Sequence, residues 1–124
     1  MSISLSTILN HTVIVGLSYF DSEGNLVSQR QLGGVVIETD QEKGIAIKRH
    51  GGSDQYFVLP ASLLCWFHAP RGHFYDSESG ALIENPDFLV TWDVFQQQED
   101  VDEGNHQWWE WRPRTTPPQV AGNQ

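Results

Sequence analysis

The chain has 124 residues, 39% of them hydrophobic and 11% aromatic, which suits one domain with a modest core and excludes wholesale disorder. Sixteen acids against seven bases give a net charge of -9, a balance that repels phosphate backbones and argues against nucleic acid as a partner. Cys65 is the single cysteine, so no internal disulfide can staple the fold.

The longest apolar runs, Val13–Val15 and Ala61–Phe67, fall far short of the roughly 20 residues that span a bilayer as a helix. Met1–Asn10 holds no Lys or Arg and so lacks the charged start of a secretory signal. The expectation is a cytoplasmic protein with no membrane partner.

In chain order, His11–Phe20 is rich in β-branched and aromatic residues and places Val13, Val15, Leu17 and Tyr19 on one strand face. A polar turn, Asp21–Asn25, precedes a second alternating run from Leu26 to Leu32, the pattern of a hairpin. Gly33-Gly34 interrupts the next stretch and predicts a bulge or a sharp bend of the sheet. Turns at Asp40–Gly44 and His50–Asp54 separate short strands at Ile45–Lys48 and Gln55–Leu59. Pro60–Leu64 predicts one short helical turn, because Pro is tolerated at the first helical position. His73–Tyr75 and Ala81–Glu84 read as another hairpin. Phe88–Phe95 reads as the last strand of the body, with Phe88, Val90, Trp92 and Val94 on one face.

This spacing predicts a mostly β body over residues 1–95: a small SH3-like or Sm-like antiparallel barrel, curled and with the one helical turn. Residues 96–106 shift to Gln, Asp, Glu, Gly and Asn and read as a flexible acidic linker. Residues 107–124 then form a Trp-rich segment with a frayed end from Thr115.

No catalytic motif stands out: there is no G-x-S-x-G, no H-E-x-x-H, and neither glycine pair is followed by a Lys-Ser/Thr pair. Cys65, His68, His73 and Asp76 are ligand types for a transition metal, but their spacing fits no zinc template, and the expectation is neither metal nor cofactor. Glu84-Asn-Pro-Asp87 predicts a fixed turn in which Asp87 bonds nearby backbone amides and sets the register of the last strand. Trp108-Trp-Glu-Trp111 either folds back over the barrel or anchors a partner. As a strand it would point Trp109 and Trp111 one way and Trp108 and Glu110 the other. Arg112 and Arg114 would then be rim charges or cation-π partners of those rings.

The end of the first strand, Tyr19-Phe20-Asp21, together with Gly34-Val-Val36, Leu59-Pro60 and Asn85-Pro-Asp-Phe-Leu-Val-Thr-Trp92, resembles a family of small uncharacterised bacterial proteins over residues 13–92. That resemblance implies no reaction and no catalytic residues. In size and acidity the chain is also similar in general character to bacterial toxin-immunity proteins, which implies a basic protein partner such as a nuclease toxin.

The functional expectation is a non-enzymatic protein-binding domain, an immunity or antitoxin-like inhibitor of a basic protein. Asp21, Glu23, Asp76, Glu78 and Glu84, in or beside turns, would steer the encounter, with Trp108, Trp109 and Trp111 as anchors. The alternative is a homo-oligomeric small-barrel scaffold joined through edge strands or the Trp segment. A third, minor reading is a metal-dependent enzyme using His68 and His73.

Overall fold

Two short runs, Val13-Ile14-Val15 and Phe88-Leu89-Val90, are buried at every residue, as happens when a strand is covered on both faces. They belong to the two central strands of the sheet. The structure, a computed structural model, describes residues 3–50, 56–77, 80–101 and 104–115. Its strands are β1 (Thr12–Phe20), β2 (Leu26–Asp40), β3 (Gly44–Arg49), β4 (Tyr56–Leu59), β5 (Trp66–His68), β6 (His73–Tyr75), β7 (Leu82–Glu84), β8 (Phe88–Val101) and β9 (Gly104–Pro113). No helix occurs among the described residues, and so none there is long and apolar enough to cross a membrane.

The main sheet runs β4-β3-β2-β1-β8-β5, with β9 paired to the far part of β8, while β6 and β7 form a separate two-stranded sheet. This corrects the expected antiparallel barrel. β1 and β8 pair in parallel, from Val13 opposite Phe88 to Phe20 opposite Phe95, and the sheet stays open between its edges. Parallel neighbours need a long crossover, and here residues 21–87 supply it.

The helical turn expected at Pro60–Leu64 is also replaced. The chain bends there and closes a single turn in which the Trp66 amide donates to the Leu63 carbonyl at 3.1 Å. Five residues are too few to offset the cost of helix nucleation, whereas an irregular path lets Cys65 and Trp66 enter the core.

Gly33-Gly34 carries no bulge, since β2 keeps its register with β1 through both glycines. The bulge falls instead between Val36 and Glu38, and the glycines serve close approach: a Cβ on Gly34 would lie 2.4 Å from the Lys48 carbonyl oxygen.

The core lies on both faces of the central strands. The inner face holds the larger cluster, including Val13, Val15, Leu17, Leu32, Ile45, Ile47, Leu59, Phe88, Val90 and Trp92. Ile8, held by a turn in which its amide donates to the Ser4 carbonyl at 3.1 Å, closes one end of that face together with Ile3 and Leu5. On the outer face Ile14 and Leu89 pack against Phe74 and Ile83 of the β6–β7 hairpin.

Residues 96–101, expected to begin a linker, continue β8, and Gly104–Pro113 folds back on it from Val101–Gly104 to Trp92–Pro113. Of the end expected to fray, residues 116–124 lie outside the described residues.

The turn before β8 pins the parallel register. The Asp87 carboxylate accepts from the Thr12 amide at 3.2 Å, the Thr12 hydroxyl at 3.1 Å and His11 Nδ1 at 3.0 Å. Burial alone would raise this carboxyl, but the bonds from His11 and Thr12 hold it below its ordinary value of 3.8. Its contribution to stability is therefore present above pH 3.8 and is lost as pH falls through the lower, folded-state value. Asp87→Asn should make the acid limb of a stability profile shallower, as measured by urea midpoints from about pH 7 to about pH 2; an unchanged limb would exclude this role.

Candidate recognition cleft at the open end of the sheet

β4 and β9 are separated in the sheet by β3, β2, β1 and β8, yet residues of both line one cleft of about 540 Å³. The sheet therefore curls towards itself without closing, and the cleft is its open mouth. Its floor is Leu17 and Tyr19 of β1 and Leu32 of β2, one lip is Tyr56–Val58 of β4, and the other is Trp111 of β9. Arg30 and Arg49 complete the wall, so two of the chain's seven bases meet at an aromatic surface.

Alternation along β9 puts Trp109 and Trp111 on this inner face. Trp111 meets Trp92 edge-on, with centroids 6.0 Å apart, and Trp109 meets Tyr19 at 5.9 Å. Both remain partly exposed, at 49% for Trp109 and 36% for Trp111. They cover this face of the sheet while part of each side chain stays accessible to solvent. The side chain of Trp108 lies outside the described residues.

Arg30 Nη1 approaches the Tyr19 hydroxyl at 3.5 Å. Arg49 is anchored from behind, its Nη2 donating to both carboxylate oxygens of Asp76 at 3.1 and 3.2 Å. Asp76, expected as a surface charge for a partner, is fully buried and also accepts from the Gly33 amide at 3.2 Å. It positions the cleft's cation and cannot meet a partner itself.

The other expected acids do not converge on the mouth. Asp21 caps its own turn, accepting from the Asn25 amide at 2.8 Å and the Glu23 amide at 2.9 Å. These bonds, Asn25 foremost, hold its carboxyl below the ordinary value. Glu23 is exposed in the same turn. Glu84, on β7, faces His73 at 3.7 Å. Glu78 lies outside the described residues.

Arg112 stacks over Phe95, 4.3 Å from the ring centroid, and not over a Trp. Phe95 in turn stacks on Phe20 at 4.6 Å, on the face opposite Trp109 and Trp111. Arg114 pairs with Asp93.

The sequence reading named Trp109 and Trp111 but missed Arg30, Arg49, Tyr56 and Phe57. An available signal was Tyr56-Phe-Val-Leu59, a strand with no charge of its own.

Among the described residues that line the cleft, none pairs a nucleophile with a base. Among the described residues no three His, Cys, Asp or Glu side chains gather as a metal would need. Cys65 sits in the core, and burial pushes its thiol up to about 12 from 9.0, leaving about a thousandfold less thiolate than an open cysteine would hold. Labelling by a disulfide reagent at about pH 8 should be at least about 100-fold slower in the folded chain than in urea; comparable rates would show that the core opens there.

Comparison with protein families, with curated proteins and with solved structures finds no match.

Proposed function

We propose that this chain is a non-enzymatic protein-binding domain whose partner docks in the open mouth of the sheet. The observation that carries the reading is the cleft itself, about 540 Å³ with aromatic lips and two guanidinium groups in its wall. Half-exposed Trp and Tyr side chains concentrate binding energy at interfaces, because they bury a large area at a small entropy cost.

The narrower reading is an immunity-type inhibitor that masks a basic protein. It is supported by the net charge of -9, which would speed the approach of a basic partner from a distance. Exposed Glu23 and Glu84 contribute to that field, while the mouth supplies local recognition.

The test is direct association with the protein encoded beside this chain's gene, followed by calorimetry at two ionic strengths. Binding that weakens by tenfold or more between about 0.05 and about 0.5 M salt supports the inhibitor. Salt-independent binding would retain the binding domain and remove the basic-partner reading. No binding to neighbouring gene products at the lower salt would count against both.

A further inference from the structure

We infer that the outer face of the sheet carries a second site, a polar groove that binds a neutral sugar through its hydroxyl groups. The inference is independent of what docks in the mouth.

Residues that alternate away from the inner face form a grid on three neighbouring strands. Gly16 of β1 lies between Gln31 of β2 and Thr91 of β8, and Ser18 lies between Gln29 and Asp93. Arg114, whose amide donates to the Thr91 carbonyl at 3.1 Å, and Ser77, which follows β6, border the same groove. Its volume is about 390 Å³, within the range of about 300–1,000 Å³ typical of small-ligand sites. Gly16 leaves the middle of the floor bare, since a Cβ there would come within 3.3 Å of the Thr91 hydroxyl.

The charges of the groove are already matched. Arg114 pairs with Asp93, and Arg30, which also borders the groove, turns to the Tyr19 hydroxyl on the inner face. With both cations engaged and a chain charge of -9, an anion is disfavoured.

The groups left unmatched are neutral. Ser18 is only 4% exposed, and its hydroxyl accepts from Gln29 Nε2 and Arg114 Nη2, both at 3.4 Å. Its own proton reaches no acceptor among the described residues, and a buried donor left unpaired is costly. The Thr91 hydroxyl forms no hydrogen bond among those residues, and the side-chain carbonyls of Gln29 and Gln31 accept none. Hydroxyls donate and accept whereas amide carbonyls only accept, so the matching ligand carries closely spaced groups that do both. The adjacent hydroxyls of a sugar have this property. No residue of the grid is apolar, so an apolar ligand finds no lining here. The same face continues to Phe20 and Phe95, half-buried and stacked at 4.6 Å, an aromatic surface suited to the C–H face of a sugar ring.

The test presents the full chain, clustered on streptavidin, to an array of immobilised neutral and acidic glycans. The free disaccharide of the strongest neutral binder is then titrated into isotope-labelled chain, and amide shifts are followed by NMR. A neutral glycan should be selected, with a Kd at or below about 1 mM for the disaccharide. Shifts should centre on Gly16, Ser18, Gln29, Gln31 and Thr91 and leave Tyr56–Val58 and Trp111 unmoved. Gln29→Ala, at an exposed position where folding is not at stake, should weaken binding by about tenfold, and Gly16→Ala by a similar factor through the lost floor space.

An array without a neutral binder would overturn the inference, as would a preference for sialylated or sulfated glycans or displacement of the sugar by inorganic phosphate. Shifts confined to the cleft, or an affinity unchanged in Gln29→Ala, would overturn it equally.

Discussion

Replacing Asp76 with Ala is expected to lower the unfolding free energy by about 3–5 kcal/mol, a large share of the stability of a domain this size. The carboxylate is fully buried, and the Arg49 side chain that it holds at 3.1 Å is only 15% exposed. Removing the acid leaves a guanidinium with little water to replace it and frees the Gly33 amide, which donates to the same carboxylate. The Asp76→Ala, Arg49→Met double variant should recover part of the loss, because an apolar pair needs no charge partner. Urea unfolding followed by Trp fluorescence measures both. A loss below about 1 kcal/mol for Asp76→Ala would mean that water reaches the pair. The pair also couples stability to the site, since Arg49 forms part of the cleft wall.

Gly34→Ala should be nearly as damaging, at about 3 kcal/mol. The new Cβ would lie 2.4 Å from the Lys48 carbonyl oxygen and 2.6 Å from Ile47 Cγ2. The first of these is backbone in the neighbouring strand, so relief requires β2 and β3 to separate where they bring Arg49 opposite Gly34. Gly16→Ala is the comparison, because its Cβ would meet only the Thr91 side chain, at 3.3 Å. A shift of a few tenths of an ångström there should cost less than about 1 kcal/mol. Similar losses in the two variants, read from urea midpoints, would show that the close approach of β2 and β3 is not what selects Gly34.

How far the sequence could be read follows from which interactions are local. Alternation marked β1 and the start of β2, and Asp21–Asn25 announced its turn through residues whose bonding partners lie within four positions. The parallel pairing of β1 with β8 was not legible as such, because its partners lie 75 residues apart, as Val13 and Phe88 do. A trace existed in Val13-Ile14-Val15 and Phe88-Leu89-Val90, since unbroken apolar runs are the mark of strands covered twice. The polar run after Phe95 read as a linker because composition reports burial. A ribbon such as β8 with β9 needs only a backbone partner to form its ladder.

The site divides in the same way. Trp109 and Trp111 could be named because alternation fixes their shared face, whereas Tyr19, Arg30, Arg49 and Tyr56 converge only through the curl of the sheet. Asp76 misled for a related reason. Its turn position suggested exposure, but the β6–β7 hairpin packs on Gly33, where Ile83 fills the space a Cβ would take, and carries the acid inside.

The most direct measurement is the affinity of a bound partner protein for Trp111→Ala set beside Leu64→Ala. Leu64 is the more exposed of the two, at 68% against 36%, but it does not line the cleft. An open recognition mouth requires a loss of about 10- to 100-fold at Trp111, with the fold intact by circular dichroism, and little change at Leu64. Equal affinities for the two variants and the parent chain would contradict it.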